Sequence, residues 1–313
     1  MTSISILLAS YNGEKYIAEQ IDSLLVQTVQ DFKLFICDDK STDNTFGIIS
    51  SYAKKYPKKI CAYQNEKNTG NAKHNFIKMM VKYNDDYVML CDQDDVWLPD
   101  KIEKTLARMR ELEEIYGKIE PIVVHTDLKV VDKNLNVISP SYAKMSRTDY
   151  EKKALHHLRT RNIAAGCTQM YNRALCDLIS AKPEFIMVHD WWATLTASAL
   201  GKISTVYEPT ILYRQHDSNS IGAKKAFSVA HIYCRLMNFR KVVDSVNDTY
   251  RQAKSFLDFY SAQLSDEQQK LLSAYASIPA LSKMERLRVL ARHNVFMYGF
   301  IRKSVQIFIV LMY

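Results

Sequence analysis

The chain opens as an alternation of short apolar runs and segments with helical period. Ile4 to Ala9 is apolar and ends at Ser10-Tyr11-Asn12-Gly13, which reads as a buried strand and a turn. Tyr16, Ile17, Ile21, Leu24 and Leu25 then recur at helical spacing. Phe32 to Cys37 is a second strand ending at Asp38-Asp39-Lys40-Ser41-Thr42-Asp43. Phe46, Ile49, Tyr52 and Ala53 mark a second helix, closed by Pro57. Ile60 to Gln64 is a third strand, after which Asn68-Thr69-Gly70-Asn71 turns into a helix carrying Phe76, Ile77, Met80 and Val81. Tyr87 to Cys91 is a fourth strand, and Pro99 opens a further helical pattern. Strand–helix repeats of this length predict right-handed parallel crossovers and a doubly wound α/β sheet with helices on both faces. Ligands of such sheets sit beyond the strand C-termini. That rule gathers Tyr11, Asp38, Asp39, Asn68 and Asp92 to Asp95 on one edge.

After Gly117 the regularity changes. Ile122 to His125, Leu128 to Val131, and Leu135 to Ile138 beyond the Asp132-Lys133-Asn134 turn predict a mixed or antiparallel extension of the sheet. Residues 139–160 are polar and are expected to form a loop over the site. Ile163 to Met170 reads as a strand whose Gly166 marks a close backbone approach to a ligand. Leu175 to Ile179 reads as a short packing helix, and Ile203 to Tyr207 and Thr210 to Tyr213 as two strands. From Ala223 onward the pattern is helical, with Ile232, Leu236, Phe239, Phe256, Phe259 and Leu264 on apolar faces and a helix start at Ser265-Asp266-Glu267-Gln268.

Charge sharpens this division. The net charge of +8 is uneven: residues 1–222 carry 28 Lys+Arg and 28 Asp+Glu, while residues 223–313 carry 14 against 6. A balanced α/β domain over 1–222 and a basic amphipathic extension over 223–313 are therefore expected. The extension would meet an anionic membrane surface, a second protomer as a homodimer, or the domain itself. Nucleic acid is a poorer partner, because the basic residues alternate with aliphatic bulk. Six scattered cysteines without paired spacing suit a reduced, cytoplasmic setting. No signal peptide is expected, and the apolar run Val305 to Tyr313 is short of the ~20 residues that span a bilayer.

Five stretches carry candidate chemistry. Three carboxylates in Asp92-Gln93-Asp94-Asp95, at the end of a central strand, repel one another and lose hydration. A hard cation, Mn²⁺ or Mg²⁺, held by one or two of them plus substrate phosphates would relieve this; a solvated acidic turn is the plainer alternative. The G-x-G-x-x-G fingerprint is missing after the first strand, and no P-loop occurs, so phosphates would be handled through a metal. Asp39 can accept a hydrogen bond from a ring N–H and Tyr11 can stack on a base, or the two can be an ordinary turn and a half-buried aromatic. In His189-Asp190-Trp191-Trp192, Asp190 is a candidate general base walled by tryptophans, or else a helix N-cap. Arg214 and His216 are candidate diphosphate contacts, or part of a polar surface turn. His156-His157 lacks a third ligand at metal spacing.

Taken together, these stretches resemble the glycosyltransferase family 2 enzymes, which have a GT-A fold. The match runs through Ser5 to Gly13, Ile36 to Asp43, Asn68-Thr69-Gly70, Asp92 to Asp95 and His189-Asp190, over the first two thirds of the chain. Cys91 to Trp97 with Tyr213-Arg214-Gln215-His216 looks like the rhamnosyltransferase-like bacterial subgroup that builds surface polysaccharides. The resemblance implies inverting transfer from a nucleoside-diphosphate sugar, UDP-hexose or dTDP-rhamnose. It implies that Ala9, Tyr11 and Asp39 hold the base, with Asn68 in the matching donor-side stretch and Asp92 near the ribose. It further implies that Asp94 binds the metal and Asp190 is the general base. The processive members' Gln-x-x-Arg-Trp motif is missing, which points to addition of one sugar. A lipid-linked glycan acceptor at the inner face of the cell membrane, in O-antigen or capsule synthesis, is the matching expectation. A sugar-nucleotide nucleotidyltransferase and a non-catalytic carbohydrate- or membrane-binding module are the competing readings.

Overall fold

The structure is a computed structural model that describes residues 3–83, 85–180, 183–216 and 239–312. The expected helix with Ile232 and Leu236, the 222/223 boundary and the turn Asp217-Ser218-Asn219 lie outside these residues. The first half follows the apolar pattern closely: β1 (Ile4–Ser10), α1 (Ile17–Leu25), β2 (Lys33–Asp38), α2 (Thr45–Lys55), β3 (Ile60–Gln64), α3 (Ala72–Lys82) and β4 (Tyr87–Asp92). Asn71 caps α3 by accepting from the Lys73 N–H. A two-residue strand β5 (Val96–Trp97) and α4 (Lys101–Tyr116) follow, then β6 (Ile122–Val131) and β7 (Val137–Ser139).

Three expectations need correction here. Residues 139–160 hold two short helices, α5 (Tyr142–Ser146) and α6 (Leu155–Leu158), whose Leu155 and Leu158 are buried in the core. Ile163 to Met170 is not a strand; Gly166–Thr168 is a 3₁₀ turn, and only Gln169–Asn172 pairs, as β8. The two strands expected at 203–213 are one, β9 (Lys202–Arg214), because Pro209 falls where the β6–β9 register shifts and no ladder N–H is demanded of it. Between β8 and β9 stand α7 (Arg173–Ile179) and α8 (His189–Leu200).

Among the described residues nine strands form one mixed sheet in the order β3-β2-β1-β4-β8-β6-β9-β5, with β7 beside β6. The first four strands run parallel, β8 is antiparallel to both β4 and β6, and β9 returns parallel to β6. Side chains alternate across it. Ile4, Ile6, Leu8, Met89 and Cys91 face α1, α2 and α4, while Leu7, Val88 and Leu90 face α3, α7 and α8.

The C-terminal helices are α9 (Phe239–Tyr260), α10 (Asp266–Ser277), α11 (Lys283–Arg292) and α12 (Phe300–Met312). Ser265 opens α10 with a capping box to Gln268, as expected. The apolar stripe of α9 (Val243, Val246, Tyr250, Ala253, Phe256, Tyr260) is buried in the same cluster as α8. Trp192 of α8 packs on Phe256 at 5.1 Å and on Tyr260 at 5.8 Å between ring centroids. Arg159, buried below Tyr275, donates from Nη2 to the Phe296 carbonyl at 3.1 Å. The tail is thus joined to the sheet domain through one continuous core. Phe256→Ala is expected to cost about 3–5 kcal/mol in a denaturant titration followed by Trp fluorescence; a loss under about 1 kcal/mol would show that α9 is not packed as described.

Candidate active site

The strand register builds one edge. Ser10 lies opposite Asp38, and Ala9 lies opposite both Cys37 and Asp92, so β1, β2 and β4 end level with one another. Each of the first two leaves the sheet through a left-handed residue, Asn12 at φ 48° and Lys40 at φ 63°. Tyr11 is 46% exposed at the lip. Its backbone N–H donates to Gln93 Oε1 at 2.8 Å, and Gln93 Nε2 donates back to the Tyr11 carbonyl at 3.0 Å. A Cβ on Gly13 would stand 2.3 Å from Gln93 Oε1, so only glycine leaves room for this amide clasp.

On the β2 side the two aspartates have separate tasks. Asp38 is consumed by the turn itself, accepting from Ser10 Oγ, the Ser41 N–H and Gln64 Nε2 at 2.8–3.0 Å. Asp39 accepts from Asn65 Nδ2, the Thr69 N–H and Thr69 Oγ1 at 2.8–2.9 Å. Burial works to raise its carboxyl, yet these bonds outweigh it and hold the group below the ordinary range. Asn68 Nδ2 donates to the Asp39 carbonyl at 2.8 Å. An open cavity of about 520 Å³ lined by Gln64, Asn65, Lys67, Thr69 and Lys78 adjoins this pair.

The acidic turn after β4 is drawn together from far along the chain. Asp95 is fully buried; its Oδ1 accepts from the Arg214 N–H at 3.1 Å, and its Oδ2 has no hydrogen-bond partner among the described residues. Arg214, 3% exposed, donates from Nε to the Asp94 carbonyl and from Nη1 to the Lys133 carbonyl, both at 2.8 Å, and pairs with Glu19. His216 Nε2 lies 2.9 Å from Asp94 Oδ2 and the ring stacks on Tyr16. The two residues at the end of β9 are therefore fastened to the acidic turn. Beneath it, Lys101 is fully buried, its ammonium without a hydrogen-bond partner among the described residues and 4.6 Å from the Trp97 ring centroid. Burial pushes Lys101 down to about 8, against the pull of Cys167, Cys91 and Asp95. Gln93, Lys101, Cys167 and Glu19 were not among the sequence candidates.

Asp190 does not cap α8; Val188 is the N-cap and Asp190 sits in the first turn, where its Oδ1 accepts from the Trp191 N–H at 2.6 Å. Burial lifts its carboxyl to about 6, with the Trp191 and Gly166 N–H groups holding the rise in check. The tryptophans do not face the cleft. Trp191 donates from Nε1 to the Leu158 carbonyl and Trp192 lies in the core, because large apolar rings gain more from burial than from a wall on water. The 3₁₀ turn spans the two acidic groups. A Cβ on Gly166 would lie 3.6 Å from Asp190 Oδ2, and the next residue, Cys167, has its Sγ grouped with oxygens of Asp92 and Asp95, all within 4.8 Å of one another. Asp92, half-buried, is raised to about 7, first by burial and then by the charges of Asp94 and Asp190. Asp95 is pushed well above its usual range, first by burial and then by the charges of Asp94 and Asp92. The carboxylate oxygens of this set, one of them buried without a hydrogen-bond partner among the described residues, are the donors a hard divalent cation takes.

The glycosyl transferase family 2 profile matches residues 5–179, more than half of the chain. The chain belongs to glycosyl transferase family 2. Within that family it is 28% identical over 239 residues to the dTDP-rhamnosyl transferase RfbG of Shigella flexneri, covering 72% of this chain and 76% of that protein. It is also 28% identical over 182 residues to the chondroitin synthase of Escherichia coli, covering 56% of this chain but only 25% of that longer protein. Among solved structures, S. aureus TarS 1–349 in complex with UDP-GlcNAc superimposes with a TM-score of 0.55 at 18% identity, over 99% of this chain and 90% of that one. The mannosyltransferase PcManGT of Pyrobaculum calidifontis, in complex with GDP-Man and Mn²⁺, gives 0.52 at 13% identity, over 99% and 84%. The family 2 chain therefore has a GT-A-like α/β fold with an added helical tail.

The raised Asp92 carboxyl has a consequence for stability. Its ordinary value is 3.8 and the folded value about 7, so between them the folded state binds more protons than the unfolded one. Stability from this group is complete below the lower value and is lost as pH rises through the higher. In metal-free buffer, the Tm advantage of Asp92→Asn over the unaltered protein is expected to widen from about pH 5 to about pH 8. A gap that does not change with pH would show that Asp92 is not held in this way.

Proposed function

We propose that this family 2 protein is an inverting, metal-dependent glycosyltransferase that adds one sugar from a nucleoside-diphosphate sugar to a lipid-linked glycan in surface-polysaccharide synthesis. The observation that carries the proposal is the 3₁₀ turn Gly166–Thr168, one residue of which lies against Asp190 and the next against Asp92 and Asp95. Such an arrangement suits a reaction in which a leaving diphosphate and an entering hydroxyl must meet at one carbon. The rhamnosyl relative favours dTDP-rhamnose as donor, and the UDP-GlcNAc complex of TarS favours a UDP-sugar; both donors are retained.

In this mechanism Ala9, Tyr11 and Asp39 hold the base, with Asn68 shaping the loop behind Asp39, and Asp92 lies near the ribose. Asp94, with its neighbours in the turn, would hold Mn²⁺ or Mg²⁺, which when bound supplies positive charge to the departing diphosphate. Arg214 and His216 keep the turn in place, and His216 stands beside Asp94 where it can also meet a phosphate oxygen. Asp190 accepts the proton of the acceptor hydroxyl as its oxygen bonds to the anomeric carbon and the bond from that carbon to the diphosphate oxygen breaks. Attack from the face opposite the leaving group inverts the centre. The carboxyl of Asp190, near 6, is ionised at neutral pH and still basic enough to take a proton.

No helix among the described residues is long and apolar enough to cross a membrane. Exposed Phe300, Ile301, Phe308, Leu311 and Met312 on α12, in the basic third of the chain, support peripheral contact with an anionic membrane at its inner face. Binding to phosphatidylglycerol vesicles that is reversed by high salt is expected, and no sedimentation with them at low salt would remove this part of the proposal.

Asp190→Asn is expected to lower sugar transfer by about 10²–10⁴-fold while calorimetry shows UDP or dTDP bound as before; near-normal transfer would end the base assignment. In the unaltered protein, kcat/KM should rise with pH through about 6 and then level, since protonated Asp190 cannot act as base. Asp94→Asn should abolish the dependence of nucleotide affinity on Mn²⁺, and a retained dependence would move the metal to other ligands.

A further inference from the structure

The Asp39 carboxylate, proposed above to hold the base, is already surrounded by donors. Asn65 Nδ2 donates to its Oδ1 at 2.8 Å, and the Thr69 N–H reaches both oxygens, at 2.9 and 3.1 Å. Thr69 Oγ1 donates to Oδ2 at 2.8 Å, and the Asn75 side chain helps to hold the charge. An ionised carboxylate offers about four acceptor positions, and Asp39 is only 4% exposed. A base N–H that bonds this carboxylate must therefore replace a donor of the chain itself.

Two of these donors are fixed. Asn65 and Asn75 are buried, Asn65 Nδ2 also donates to Asn75 Oδ1 at 2.7 Å, and Lys78 Nζ donates to Asn65 Oδ1 at 3.1 Å. Thr69 is different. It and its neighbours from 66 to 72 are exposed, so this loop covers Asp39 on one side and meets solvent on the other. The Thr69 hydroxyl has a second acceptor within reach, the Asn71 carbonyl at 3.2 Å. Thr69 also lines the open cavity of about 520 Å³, which gives its side chain room to turn. The hydroxyl can leave Asp39 without losing its last partner and without disturbing the core.

We infer that Thr69 is a built-in competitor of the nucleotide base: its hydroxyl occupies the Asp39 carboxylate until a ring N–H displaces it. This rests on the donor-binding reading above and adds to it a residue that sets nucleotide affinity. It also favours bases with a ring N–H, because a base without one cannot replace the bond that Thr69 gives up.

The test is calorimetry on the full chain in Mn²⁺ buffer with UDP, dTDP and their N3-methyl forms, which lack the ring N–H. Thr69→Val and Thr69→Ala are expected to tighten UDP or dTDP binding about fivefold, the worth of one hydrogen bond. Thr69→Ser, which keeps the hydroxyl, should bind as the unaltered protein does. Without nucleotide, Thr69→Val should melt below the unaltered protein, and nucleotide should raise its Tm by more. The N3-methyl forms should bind weakly to the unaltered protein and gain nothing from Thr69→Val. Unchanged or weaker UDP and dTDP binding by Thr69→Val, or an equal gain for the N3-methyl forms, would overturn the inference. Equal binding of methylated and unmethylated nucleotides by the unaltered protein, or none of either, would instead remove the base reading of Asp39, a result seen without any Thr69 variant.

Discussion

The structure depends on crowding like charges at the end of β4 and around Asp190. Two unit charges about 5 Å apart in a partly buried setting repel by roughly 3 kcal/mol, equivalent to about two pKa units. Asp92, Asp94, Asp95 and Asp190 cannot all be ionised there without compensation. The chain supplies part of it: Lys101 from below, the Arg214 backbone N–H on Asp95, and His216 on Asp94. The remainder raises the carboxyls of Asp92 and Asp95 above their usual range, a rise that a bound cation would oppose. Much of the topology serves this cluster. β9 runs its full length so that Arg214 and His216 reach the turn, and β8 is preceded by a tight 3₁₀ turn so that Gly166 and Cys167 reach both groups of acids.

The parallel half of the fold was legible because several signals agreed at each boundary. Ile60–Gln64 is an apolar run ending in a polar residue, and the structure pairs those same five residues. The second half was harder. Ile163 to Met170 has strand-like composition, but Gly166 is held against His189 and Asp190, and that tertiary demand converts the run into a 3₁₀ turn. Glu208-Pro209 reads as a break, yet the proline coincides with a slip in register where a missing N–H does no harm.

At the site, sequence order exposed the acids and hid what restrains them. Asp39, Asp92, Asp94 and Asp190 stand in short polar stretches after apolar ones, and the structure brings all four to one edge. Gln93, Cys167 and Glu19 act across about 70 to nearly 200 residues of chain, and no local pattern announces them. A buried lysine is the least predictable, since lysine on a helix is ordinarily solvated. The two tryptophans were misjudged for the opposite reason: their position beside Asp190 suggested a cleft wall, whereas their size drew them into the core. The tail shows a similar ambiguity, because an amphipathic stripe looks alike whether it meets lipid or protein. Here α9 packs its stripe on α8, while α12 leaves Phe300 uncovered and Phe308 half-exposed against Phe239.

The side chain of Gln93 joins the loop after β1 to the turn after β4 by two opposed amide bonds. A double linkage of this kind fixes the direction of the amide as well as its distance, so the Tyr11 backbone and the Gln93 side chain hold one another in place. Gln93 lies between Asp92 and Asp94, and the aromatic lip and the acidic turn therefore share a hydrogen-bonded seam.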